Sequence, residues 1–132
     1  MSFGCSSQKD TVTNRVLQNL SARYNYRYNA NVLLQNYQES IAQSHKDNYE
    51  DFLTIYIAPA PYSIESSANE QPTSKELEDI AKKAQIIVSE KSLSNYLDEA
   101  YILLGKTNFY NGNYFSAIEY FDYTARAYKK DK

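Results

Sequence analysis

Histidine, cysteine and clustered carboxylates build most catalytic and metal sites, and this sequence is poor in them. His45 is the only histidine and Cys5 the only cysteine among 132 residues. A Ser-His-Asp relay or a histidine-based metal site would rest on His45 alone. One cysteine permits neither an internal disulfide nor a redox dithiol. Carboxylates gather in Asp47-Asn48-Tyr49-Glu50-Asp51, but that loop lacks the glycine and the spacing of a calcium loop. No glycine-rich phosphate cradle is present. The segment Arg23-Tyr24-Asn25-Tyr26-Arg27-Tyr28 interleaves cations and aromatics as single-strand nucleic-acid platforms do. On a helix those tyrosines spread around the surface, and the formal net charge is −2, so no nucleic-acid partner is expected. The expectation is a chain that is not an enzyme, with no metal, no cofactor and no small-molecule substrate.

What remains is aromatic and apolar surface, the chemistry of protein binding. There are 14 tyrosines and no tryptophan. Tyrosine joins a large apolar body to a polar tip, which suits half-buried helix faces and interfaces. Only 3 glycines and 3 prolines occur, the prolines all between Pro59 and Pro72, and so few breakers favour long helices over many short strands. No run approaches the ~20 apolar residues of a membrane span.

The elements that must position these residues are helical. Residues 13–44 read as helix, with Val16, Leu17, Leu20, Tyr24, Tyr28, Val32, Tyr37 and Ile41 at helical spacing. Asparagines between Asn25 and Asn31 compete for backbone hydrogen bonds and weaken the middle. A hairpin turn is therefore expected near Gln35-Asn36. His45 to Asn48 reads as a loop or helix end, and 49–57 as a short helix running into extended chain. Residues 58–72 form a loop, because Pro59 and Pro61 hold their predecessors extended. Thr73 with Glu76 makes a capping box that opens a helix, whose stripe is Leu77, Ile80, Ala81, Ala84, Ile87 and Val88 and whose end lies near Lys91. A second start falls at Ser94 or Asn95, giving a helix over 96–111. After a break at Gly112-Asn113, the last helix covers 114–128.

The last two helices carry a repeat pattern. Leu104-Gly105, Gly112-Asn113-Tyr114, Ala117-Ile118 and Phe121 match the tetratricopeptide repeat in residue type and spacing. Gly105 lets the two helices approach closely, and Gly112 can take a positive φ at the turn. Tyr114 opens the second helix, Ala117 faces the first, and Phe121 fills the gap one turn on. The register departs from the pattern at Asn108 and Thr124. A weaker echo lies in Tyr24, Tyr28, Asn36-Tyr37 and Ile41. Stacked repeats line their concave face with first helices, so the register points Glu99, Ile102, Lys106, Phe109 and Tyr110 into a partner groove. Phe109 and Tyr110 are either its anchors or packing against the helix before them.

The N-terminus suggests an anchor. Ser2-Phe3-Gly4-Cys5-Ser6-Ser7 looks like the cleavage site of a bacterial lipoprotein, although no charged or apolar leader precedes it. Cys5-Ser6, Lys9-Asp10, Arg15, Ala22-Arg23-Tyr24-Asn25, Tyr28-Asn29-Ala30 and Asp47-Asn48-Tyr49 resemble the start of one family. That family is the tetratricopeptide lipoproteins of type IX secretion and gliding motility in Bacteroidota, of the PorW/SprE kind. The resemblance implies a lipid on Cys5, a place at the periplasmic face of the outer membrane, and protein partners within the secretion machine. Family members are much longer than this chain.

The sequence thus predicts an all-α fold of antiparallel helical hairpins, the start of an α-solenoid. Its parts are a disordered lipoprotein-like start (1–12), an N-terminal helical hairpin (13–57), a Pro/Ser-rich loop (58–72), and a helix with one tetratricopeptide repeat (73–132). The predicted function is a protein–protein scaffold of the secretion and gliding machinery. The alternative is a soluble cytoplasmic adaptor that binds a peptide.

Overall fold

The structure, a computed structural model, describes residues 10–44 and 75–129. Cys5, His45, the Asp47–Asp51 carboxylates, the 49–57 segment, the 58–72 loop and Thr73 lie outside the described residues. Among the described residues all regular structure is helical.

The chain starts with α1 (Val12–Ser21), capped by Thr11, whose backbone is extended and whose hydroxyl accepts from Asn14 N at 3.3 Å. It continues without a break through a π-helical segment (Ala22–Arg27) into α2 (Tyr28–Ser44). Both residues flanking the π segment are right-handed helical, and Tyr28 N donates five residues back to Arg23 O. Asn29 and Asn31 donate their side-chain amides to the carbonyls of Asn25 (2.8 Å) and Arg27 (3.0 Å). The asparagines therefore alter the winding of the helix without ending it. The expected turn at Gln35-Asn36 is absent: both residues lie inside α2. The echo across Tyr24 to Ile41 is one face-changing rod, not a hairpin.

Next come α3 (Lys75–Glu90), α4 (Leu97–Tyr110) and α5 (Tyr114–Ala127). The α3 stripe is buried as its spacing predicts, through Leu77, Ile80, Ala84 and Ile87. The α3–α4 connection is short, with Lys91 N bonded to Ile87 O and Ser94 N to Lys91 O. The start of α4 falls after Tyr96, while Ser94 Oγ accepts from Tyr96 N at 3.4 Å. Gly112 has φ 75°, the one positive φ among the described residues, and Asn113 then caps α5 by accepting from Ser116 N.

Neighbours in sequence are neighbours in space: α2 packs on α3, α3 on α4, and α4 on α5. One core joins Ala30 and Leu34 of α2, Leu77, Ile80 and Ala84 of α3, and Leu103, Leu104 and Tyr110 of α4. A smaller one joins Ala22, Ile87 and Ala100. The first helix also touches α4 at two heights. Arg27 pairs with Glu99, and Gln38 Nε2 donates to Tyr110 Oη at 2.8 Å, both across 72 residues of sequence. A constant separation at both points means that α2 and α4 run side by side in the same direction. Ring contacts between Phe109 and Tyr114 and between Tyr101 and Tyr123 show that α5 returns antiparallel to α4.

Of the predicted apolar stripe, Tyr37 and Ile41 pack against the core, but the earlier part of the first helix turns a different face inward. Val16, Leu17, Leu20, Tyr24, Tyr28 and Val32 are exposed, while Gln18, Ala22, Ala30 and Leu34 are buried. The reason is local. Small Ala22 and Ala30 permit close approach to α3 and α4. Gln18 Oε1 and Asn19 Oδ1 accept from the backbone N–H groups of Leu93 (2.9 Å) and Asn95 (2.7 Å), donors that the α3–α4 turn would otherwise leave unpaired.

Candidate protein-binding cleft

The residues predicted to line a groove do not all share one surface. Ile102 is half-buried on α4. Glu99 is committed elsewhere: it pairs with Arg27, whose guanidinium also lies 5.2 Å from the Tyr96 ring centroid. This ion pair clamps the π segment onto α4 and takes Glu99 out of the groove. Tyr110 is 7% exposed, its ring edge-on to Tyr37 at 5.6 Å and its hydroxyl held by Gln38. It belongs to the core, and the element it meets edge-on is α2. The register could not show this, because α2 lies 72 residues away in sequence.

Lys106 and Phe109 do meet. With Gln38, Tyr110 and Phe121 they line a cleft of ≈ 250 Å³ bounded by α2, α4 and α5. Each wall has a local cause. Gly105 presents no side chain to α5, and the Phe121 ring lies where a β-carbon would stand, 2.5 Å from its ideal position. Leu104 is buried, and its carbonyl accepts from Thr107 Oγ1 (2.9 Å) and Asn108 Nδ2 (2.8 Å). Asn108 thus serves the backbone at the position where the repeat pattern has an aromatic. Tyr114 packs back on Phe109, with ring centroids 5.4 Å apart, and Ala117 is buried against α4. Thr124 is buried too, its hydroxyl donating to Tyr120 O at 2.7 Å.

The cleft is apolar, with one amide and one ammonium at its rim. That chemistry can take an apolar side chain and hold a carboxylate or a backbone carbonyl beside it. Gln38 and Phe121 were not foreseen as lining residues. A second hollow of ≈ 390 Å³ is lined by Ser94, Asn95, Leu97, Asp98 and Tyr128. Nearby, burial and the neighbouring Tyr123 push the Tyr101 phenol above its usual range. Among the described residues no cluster of His, Cys, Asp and Glu could hold a metal ion, and no helix is long and apolar enough to cross a membrane.

No known protein family matches this chain, and no curated protein is similar to it in sequence.

Proposed function

We propose that this chain is a tetratricopeptide-type interaction module whose cleft holds a segment of a protein partner. The observation that carries the reading is the parallel pairing of α2 with α4 at a constant separation, with α3 and α5 returning between and after them. Alternating helices of this kind set every second helix along one face. The contact of Phe121 with Gly105 adds the close approach that the repeat pattern requires. Replacing Lys106 and Phe109 with alanine should weaken partner binding at least tenfold with unchanged helicity; unchanged affinity would dispose of the cleft. Phe109 is chosen because truncating Tyr110 would open the core.

The resemblance between Cys5 and Tyr49 supports a finer reading, a lipid-anchored assembly component of the type IX secretion and gliding machinery at the periplasmic face of the outer membrane. Labelling with a fatty-acid probe, beside a Cys5→Ser variant, tests it. Label that disappears with the substitution supports the anchor. No label in either protein removes it and leaves a soluble adaptor acting through the same cleft.

A further inference from the structure

Lys106 stands one helical turn before Phe109 and Tyr110, so the three side chains rise from one face of α4. Lys106 is half-buried. A lysine beside an apolar cleft lays its methylenes along the wall and keeps its ammonium at the rim. Among the described residues the ion pairs use Arg15, Arg27, Lys82 and Arg126, and Lys106 joins none of them. No carboxylate is among the residues that line the cleft. The cleft thus carries a positive charge with no counter-charge among the described residues. On the α2 side, exposed Gln38 gives an amide N–H to Tyr110 Oη and keeps its carbonyl oxygen as an acceptor.

Size and spacing narrow the ligand further. At ≈ 250 Å³ the cleft falls below the roughly 300–1,000 Å³ of pockets that enclose whole small molecules, and it suits one large side chain. One turn of helix sets the β-carbon of Lys106 about 5–6 Å from those of Phe109 and Tyr110. In an extended peptide, side chains two residues apart leave the same face about 6.5–7 Å from each other. An apolar residue seated among the rings therefore brings its second neighbour to the lysine.

We propose that the cleft, on the binding reading given above, recognises an extended acidic–apolar peptide segment. A phenylalanine, leucine or methionine enters the cleft, and an aspartate or glutamate two residues along pairs with Lys106. Gln38 Oε1 accepts a backbone N–H of the same segment. A segment with a basic residue at the second position is refused by like charge.

Selection from random peptides displayed within a phage coat protein tests this on the full chain, beside Lys106→Gln, Lys106→Glu and Phe109→Ala. Peptides held at both ends have no free carboxyl terminus, so only a side chain can supply the carboxylate. The wild type should enrich a bulky apolar residue with an acid two positions away. Lys106→Gln should keep the apolar preference and lose the acidic one, and Lys106→Glu should replace the acid with lysine or arginine. For an enriched peptide, changing its acid to the amide should weaken binding to the wild type about two- to fivefold at low salt. The loss should shrink at high salt and vanish in Lys106→Gln. Apolar peptides enriched with no acid at that spacing, or an acidic preference that survives Lys106→Gln, overturn the proposal and leave the cleft standing. Absence of any enrichment, or enrichment unchanged in Phe109→Ala, removes the cleft itself and the proposal with it.

Discussion

Gly105→Ala should destabilise the protein, although alanine is the better helix former. Two effects oppose each other. In mid-helix, alanine gains about 0.8–1.0 kcal/mol over glycine. Against that, the new methyl would stand 2.5 Å from Phe121 Cε1 and 2.8 Å from Cδ1 and Cζ. These are ring atoms, so relief requires the whole ring to swing or α5 to move away from α4. Forcing an extra methyl into packed surroundings costs about 1–3 kcal/mol. The outward side of Phe121 is open, which places the cost near the middle of that range. The net is about 1 kcal/mol of destabilisation, or a fall in Tm of about 3–5 °C for a chain of this size. The decisive assay is a double-mutant cycle by urea denaturation. Removing the ring by Phe121→Ala should reverse the sign, so that Gly105→Ala in that background stabilises by about 0.5–1 kcal/mol. Stabilisation by Gly105→Ala with Phe121 in place would refute the claim that close approach is what selects glycine here.

Three further outcomes are expected. Gln18→Ala should lower unfolding free energy by about 1–3 kcal/mol, because Leu93 N–H loses its acceptor beneath α1; Gln18→Glu, which keeps an acceptor, should recover part of it in the same denaturation assay. Gly112→Ala must hold a β-carbon at φ 75°, which costs roughly 1–2 kcal/mol, and an equal loss with Asn at this site would argue that φ is not the cause. Tyr101 has a raised folded-state pKa, so its contribution is complete below its ordinary value of 10.0 and is lost as pH rises through the folded value. Tyr101→Phe should therefore flatten the loss of thermal stability above that pH and remove one phenol from the last step of an alkaline absorbance titration.

What the sequence made legible was short-range. The α3 stripe, the α4–α5 hairpin, the positive φ at Gly112 and the closeness at Gly105 each depend on residues within about twenty positions of one another. What it hid was long-range. The partner of Glu99 is Arg27, the partner of Tyr110 is Gln38, and no periodicity in α4 announces a helix 72 residues earlier. The first helix misled for another reason. Over its first half the largest apolar residues face outward and the buried face is drawn from alanines and a glutamine; only from Leu34 on do Leu34, Tyr37 and Ile41 turn large side chains inward. Hydrophobic patterning ranks faces by size, whereas packing here favoured the thinner side.

The π segment also determines where this chain can change length. The buried residues Gln18, Ala22, Ala30 and Leu34 fall on multiples of a four-residue step, which a helix of 3.6 residues per turn cannot keep on one side. Six residues at about 4.4 per turn lag an α-helix by roughly 110°, close to the rotation of one residue. The widened turn therefore absorbs a single surplus residue. Deleting exposed Asn25 would let the stretch close into an ordinary α-helix with Gln18 still beneath the α3–α4 turn and Leu34 still in the core. The same deletion at Gln35 would leave the surplus in place and rotate Tyr37, Gln38 and Ile41 by about 100° away from the core and from Tyr110. A one-residue deletion in this rod is thus tolerated between Ala22 and Arg27 and opposed within α2.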